Sequence, residues 1–262
     1  MTTYERRQSL LELLRKQPSL RIPDLARNFK VSQGTIRNDF DALETQGRVM
    51  RVHGGVILSD QEHFHNDSFL RRFQMNALAK QAIARHAASL VSDGDSILLD
   101  ASSTAYYLAR VLAGRQKLRV ITNGFEVARE LAQNLTNTVI LIGGVVNNET
   151  SSVTGLLSEK IIAELHVDKA FVSCSGFSLD RGLTEVNLEE AQLKRKIILS
   201  AHQVIALIDS SKFGKVDLTP FVGPGQITQL ISDTGLTSEW VGRVQEAGIS
   251  FTLVDLEAIP IS

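Results

Sequence analysis

Residues 22–55 read IPDLARNFKVSQGTIRNDFDALETQGRVMRVHGG, and this stretch decides how the rest of the chain is taken. Leu25, Ala26 and Phe29 share one face of a first short helix. Lys30-Val31-Ser32-Gln33 forms a turn, and Ser32 stands where a hydroxyl caps a following helix by accepting a free backbone N–H. That second helix repeats Ile36, Phe40 and Leu43 at spacings of four and three, so one stripe is apolar. Its opposite face shows Gln33, Thr35, Arg37 and Asn38, side chains of the kinds that reach base edges and phosphates in a major groove. Helix, tight turn and a helix with a polar start together make the helix-turn-helix pattern. Arg48, Val49, Met50, Arg51, Val52 and His53 follow, with valines between cations, and suit a two-stranded wing along a nucleic-acid backbone.

Charge supports a polyanionic partner. Up to His53 there are ten basic and six acidic residues, net +4, while the remainder holds 18 basic and 23 acidic, net −5. A basic end on an acidic chain fits double-stranded DNA. The nominated DNA contacts are Ser32, Gln33, Thr35, Arg37, Asn38, Arg48, Arg51 and His53. The alternative is a helical hairpin that only packs.

Upstream, Leu10, Leu11, Leu13 and Leu14 give a first helix over about residues 3–16, ended by Pro18 and completing a three-helix core. Residues 54–68 lose any sustained period. The domain reading is a winged helix-turn-helix at 1–57, a linker at 58–76 and an α/β domain at 77–262. His63 and His65 in the linker could bind metal but have no third ligand near them.

A helix is expected over 77–91. Beyond Asp93, short apolar runs at 97–99, 120–121, 139–142, 170–172, 204–208, 230–231 and 251–254 alternate with helical stretches near 104–113, 125–133, 154–165, 188–200 and 236–247. That alternation predicts a parallel sheet covered by helices on both faces. Ligands of such sheets lie beyond the carboxyl ends of the strands, where polar and glycine residues gather here. Asp100, Ser102, Ser103 and Thr104 open a helix and favour an anion such as phosphate. Thr122, Asn123, Gly143, Gly144, Gly176, Asp209 and Lys212 stand at other strand ends, and Thr184, Glu185 and Lys194 lie in a segment able to close over them. These are the nominated effector residues. Helix caps, turns and, for Lys194-Arg195-Lys196, a solvated helix face are the bland alternatives.

Other classes are set aside. Cys174 is the lone cysteine, so no intrachain disulfide or thiolate zinc cluster can form. The nucleotide fingerprints Gly-x-Gly-x-x-Gly and Walker are absent, as are His-Glu-x-x-His and Gly-x-Ser-x-Gly, and no cofactor or metal is expected. With neither a secretory leader nor a run of apolar residues long enough for a membrane span, the expected location is the cytoplasm, and Asn66, Asn134 and Asn148 head accidental N-x-S/T triplets.

Leu25-Ala26, Phe29, Val31-Ser32, Thr35-Ile36-Arg37, Asp39, Leu43-Glu44, Gly47, Arg51 and His53-Gly54-Gly55 together resemble the signature of DeoR-type bacterial transcription regulators. Asp93-Gly94-Asp95, Asp100, Ser103-Thr104, Thr122-Asn123, Gly143-Gly144, Gly176, Gly182-Leu183-Thr184 and Asp209-Ser210-Ser211-Lys212-Phe213 extend the likeness through the C-terminal half. The resemblance implies a winged helix-turn-helix followed by a sensor domain similar to ribose-5-phosphate isomerase. It also implies a repressor of a sugar or carbohydrate-metabolism operon, controlled by a phosphorylated sugar or related metabolite. The phosphate loop of that family, Asp-x-Gly-Ser-Thr-Thr, stands here as Asp100-Ala101-Ser102-Ser103-Thr104-Ala105. Paired half-sites call for a homodimer or homotetramer. An isomerase using Glu185, Asp209 and Lys212, and a C-terminal domain that only oligomerises, are the competing functions.

Overall fold

The computed structural model describes residues 3–16, 22–45, 49–52, 55–58 and 68–256. They divide into two compact units, Met1–Ser68 and Phe69–Ser262.

The first unit contains α1 (Thr3–Lys16), α2 (Ile22–Phe29), α3 (Gln33–Thr45) and an antiparallel hairpin of β1 (Val49–Val52) and β2 (Gly55–Leu58). Leu10, Leu11 and Leu14 of α1 meet Leu25, Ala26, Ile36, Phe40, Leu43 and Val49 in one apolar core. Each leucine, isoleucine, valine or phenylalanine among them contributes roughly 1.5–3 kcal/mol when fully buried. Asp39, nearly inaccessible, ties α3 to α1 by accepting from Arg6 at 2.5 Å and Arg7 at 3.0 Å. In the wing Arg51 pairs with Val56. Pro18, Arg48, His53, His63 and His65 lie outside the described residues.

The second unit opens within α4 (Ser68–Gln74), whose first residue closes the first unit, and continues with α5 (Ala77–Ala88), β3 (Ser96–Leu99), α6 (Ser103–Leu112), β4 (Arg119–Thr122), α7 (Phe125–Leu131) and β5 (Thr138–Leu141). Next come the hairpin strands β6 (Val145–Asn147) and β7 (Ser152–Thr154), then α8 (Leu156–Ala163), β8 (Val167–Val172), β9 (Gly176–Ser178), β10 (Gly182–Glu185) and α9 (Leu188–Leu199). The chain continues through β11 (Ala201–Leu207), β12 (Thr219–Val222), β13 (Gln229–Asp233), α10 (Ser238–Glu246) and β14 (Phe251–Val254).

Each of the seven apolar runs read from the sequence supplies one strand of a parallel sheet ordered β14-β13-β11-β8-β3-β4-β5. Alternate side chains enter two cores. Leu98, Ala170, Val172, Ala206 and Leu230 pack with Leu193 and Ile197 of α9 and Val244 of α10. Ile97, Leu99, Phe171, Ile205, Leu207 and Ile231 pack on the other face with α5, α6 and α7. Helices therefore cover both faces, as the uninterrupted apolar runs require.

Two features depart from the sequence reading. The hairpin β6–β7 and a small antiparallel sheet ordered β12-β10-β9 are additional. Strands such as Ser-Val-Thr, Gly-Phe-Ser, Gly-Leu-Thr-Glu and Thr-Pro-Phe-Val mix polar residues, glycine or proline with single apolar ones, so they lack the continuous apolar runs that mark the seven sheet strands. Helix α4 occupies part of the stretch read as linker, and it is packed: Phe73 stacks on Tyr107 at 4.5 Å, and the Tyr107 hydroxyl donates to the Phe73 carbonyl at 3.2 Å.

Candidate DNA-reading and effector sites

At the end of α2, Lys30 adopts φ 52°, a left-handed conformation that swings the chain into the turn. Val31 N–H then donates to the Ala26 carbonyl at 3.0 Å, so an end group of α2 is satisfied. Ser32 Oγ accepts from Thr35 N–H at 3.0 Å and lies 2.9 Å from Thr35 Oγ1. Both hydroxyls nominated as DNA contacts thus also hold the cap of α3. Gln33, Arg37 and Asn38 are exposed, opposite the buried Ile36 and Phe40. The polar face of α3 is presented as its periodicity requires.

In the second unit β3, β4 and β5 run outward on one side, while β8, β11, β13 and β14 run outward on the other. The order reverses between β3 and β8, which is where open α/β sheets carry their ligand crevice. A cavity of about 110 Å³ lies there, at the carboxyl ends of β3, β8 and β11. Six nominated residues line it: Ser102, Ser103, Thr104, Glu185, Asp209 and Lys212.

Asp100 and Lys194 stand directly behind this wall. The Asp100 carboxylate accepts from Ser102 N–H at 3.0 Å and Ser173 N–H at 2.9 Å, which fixes both loops. Lys194 Nζ lies 3.0 Å from the same carboxylate and 2.5 Å from Glu185, and donates to the Ser173 carbonyl at 2.8 Å. Lys194 is buried, not on a solvated helix face. Burial alone would lower its pKa; Asp100, Glu185 and Glu190 outweigh that and hold the ammonium well above the ordinary lysine value. Glu185 also accepts from Ser175 Oγ at 2.7 Å.

Ser102 Oγ caps α6 by accepting from Ala105 N–H at 3.1 Å. Ser103 and Thr104 line the hollow, and their N–H groups precede the first backbone bond of α6, at the positive end of the helix dipole.

The remaining six nominated residues do not line the cavity. Thr122 Oγ1 accepts from Gly124 N–H at 3.0 Å, and Asn123 Nδ2 donates to the Val153 carbonyl at 3.2 Å, so both brace the β4–α7 turn. Asn123 Oδ1 is buried with no hydrogen-bond partner. The Gly143 carbonyl accepts from Ser158 Oγ at 2.9 Å. A Cβ at Gly144 would lie 2.3 Å from Ser158 Oγ, and one at Gly176 would lie 2.6 Å from the Lys215 carbonyl oxygen; both glycines serve close backbone packing. Thr184 Oγ1 donates to the Gly176 carbonyl at 3.0 Å and accepts from Asp217 N–H at 2.9 Å.

Other wall residues escaped the sequence reading: Arg72, Met75, Asn76 and Lys80 from the α4–α5 pair, and Lys215. One signal for them existed. Lys80 stands three and four positions before Ile83 and Ala84, a charge within the apolar stripe of its helix. Its Nζ donates to the carbonyls of Arg72 and Met75, the latter at 2.7 Å. Burial lowers its pKa to about 8, opposed by Asp209 and reinforced by Lys212 and Arg72. Cys174 also reaches the wall, and burial pushes its thiol far above the ordinary range. Cations thus outnumber carboxylates around the hollow, which suits an anion.

Among the described residues no group of three or more His, Cys, Asp or Glu could hold a metal ion, and no helix is long and apolar enough to cross a membrane.

Comparison with known proteins follows the same division. Residues 6–62 match a family described as the DeoR-like helix-turn-helix domain, and residues 75–234 match the DeoR C terminal sensor domain. The chain is 37% identical over 256 residues to the HTH-type transcriptional regulator GolR of Listeria innocua, covering 97% of this chain and 100% of that protein. It is 33% identical over 239 residues to the lactose phosphotransferase system repressor of Streptococcus mutans, covering 89% and 93%. Among solved structures, ribose 5-phosphate isomerase A of Methanocaldococcus jannaschii shares 22% identity over 52% of this chain and 54% of that one, with a TM-score of 0.39.

Proposed function

The chain belongs to the DeoR family of DNA-binding transcriptional regulators, and from that premise we propose that it is a repressor of a carbohydrate operon, controlled by a phosphorylated sugar. The observation that carries the effector class is the cavity at the β3/β8 reversal. There Ser103 and Thr104, at the start of α6, share one wall with Lys212. A phosphate takes the helix N-terminus and the cations, and Asp209 accepts from the sugar hydroxyls. A relative named as a lactose phosphotransferase system repressor supports the carbohydrate half of this reading.

The regulator works as a homodimer or homotetramer on a double-stranded operator with paired half-sites. Ser32, Gln33, Thr35, Arg37 and Asn38 of the α3 region, with Arg51 of the wing, form its reading surface. The effector biases the chain between states of different operator affinity. Catalysis is not part of this reading. Glu185, the candidate base, is held by Lys194 and Ser175, and Asp209 Oδ1 by Asn76 and Ser211, which leaves Asp209 Oδ2 for the sugar hydroxyls.

The test compares phosphorylated pentoses and hexoses with their unphosphorylated parents. At least one ester raises the melting temperature and changes operator affinity, while its parent does neither. Lys212→Ala abolishes that response and leaves operator binding intact. If no ester shifts either readout, or Lys212→Ala loses operator binding equally, the reading fails.

A further inference from the structure

We propose that a second copy of this chain docks on the rim formed by the hairpin β6–β7, the start of α8 and the β10–α9 connection. Val145, Val146, Leu156, Leu157, Val186 and Leu188 stand there, each between 52 and 67% exposed.

Packing makes them one surface. A Cβ at Gly155, the residue before Leu156, would lie 3.4 Å from a Val145 methyl. Thr154 Oγ1 donates to Glu189 at 3.0 Å and Ser152 Oγ to Glu190 at 2.9 Å, which brings β7 against the first turn of α9 beside Leu188. Six such side chains present on the order of 600 Å² of apolar area, the upper end of what a monomer ordinarily exposes. One side of a standard interface buries about 800 Å², somewhat more than half of it apolar. The patch is therefore of the size a stable dimer needs.

A second copy fits this surface better than a charged partner. The hairpin strands, Val-Val-Asn and Ser-Val-Thr, carry no charge. An isologous contact brings a patch against itself, so a strongly signed centre would repel its own copy. A helix-turn-helix regulator also needs paired copies to read two half-sites. Val186 directly follows Glu185 of the cavity wall, so the interface and the cavity share the β10–α9 connection. This inference rests on the reading of the chain as a symmetric homo-oligomer.

Sedimentation velocity of the full chain across a concentration series tests it. Wild type associates, and Leu156→Asp weakens association by about a hundredfold, because each copy would bury an unpaired carboxylate. Leu135→Asp, at a position 95% exposed and outside the patch, sediments as wild type. Should Leu156→Asp fail to fold by circular dichroism, Val146→Glu on the hairpin decides, with the same loss expected. A wild type that stays monomeric throughout overturns the homo-oligomer reading together with this surface. A wild type that associates, with folded Leu156→Asp and Val146→Glu unaffected, overturns the surface alone.

Discussion

Asn76 donates its side-chain amide to Asp209 at 2.8 Å, joining positions 133 residues apart. A second bond from the same nitrogen reaches Ser211 Oγ at 2.9 Å. The short turn between α4 and α5 is thereby fastened to the end of β11, at the edge of the cavity. Asn76 does this from a left-handed conformation, φ 52° and ψ 36°, which asparagine tolerates better than most residues.

That geometry separates two effects. Asn76→Ala loses both bonds and places a Cβ residue less tolerant of the left-handed region there, lowering stability by about 2–3 kcal/mol. Asn76→Gly loses the bonds alone, at about 1–2 kcal/mol. Urea unfolding followed by circular dichroism ranks them, and an alanine variant no worse than glycine would remove the backbone contribution.

Lys194 neutralises two buried carboxylates, so Lys194→Met leaves Asp100 and Glu185 uncompensated. The expected loss is about 3–5 kcal/mol in thermal or urea unfolding. Because its folded pKa is raised above the ordinary 10.5, the contribution of Lys194 in the native chain is complete below about pH 10.5. It is lost only as pH rises above that value toward the folded pKa. Equal stability of Lys194→Met and wild type at pH 7 would contradict this.

Lys80 behaves in the opposite sense. With its folded pKa lowered to about 8 against 10.5 unfolded, the folded state binds fewer protons between those values. Its contribution to stability therefore rises across that window as the burial penalty on the charged form disappears. The proposed anion binding should follow the charge. Affinity for a phosphate ester should fall between pH 7 and pH 9, where the ester stays dianionic because its second pKa is near 6. Calorimetric titrations at the two values check this, and Lys80→Met should flatten the profile.

Arg37 stands on the exposed face of α3. Arg37→Ala should cost about 1–3 kcal/mol of operator affinity and relax discrimination at one base pair if the guanidinium reads a base. An even loss across operator variants would assign it to phosphate instead. Fluorescence anisotropy with substituted operators separates the outcomes, and log affinity should fall linearly with log salt.

Local patterns carried much of this molecule. The four-and-three spacing of Ile36, Phe40 and Leu43, the Ser32 cap and seven apolar runs sufficed for the helix-turn-helix and the strands of the sheet, because helix period, caps and strand alternation act within a few residues. The grouping of strand ends does not. Asn123 and Gly143 looked equivalent to Ser103 and Lys212 in sequence, yet only the latter pair lines the hollow. Strand order decides that, through bonds such as Asp100 to Ser173, which span 73 positions. Lys194 lay in a run of three cations, and only the packing of α9 against β8 and β10 turned it inward to its carboxylates. Asn76 and Lys80 entered the wall for the same reason: a cavity is assembled from side chains that tertiary packing brings together, whatever their distance along the chain.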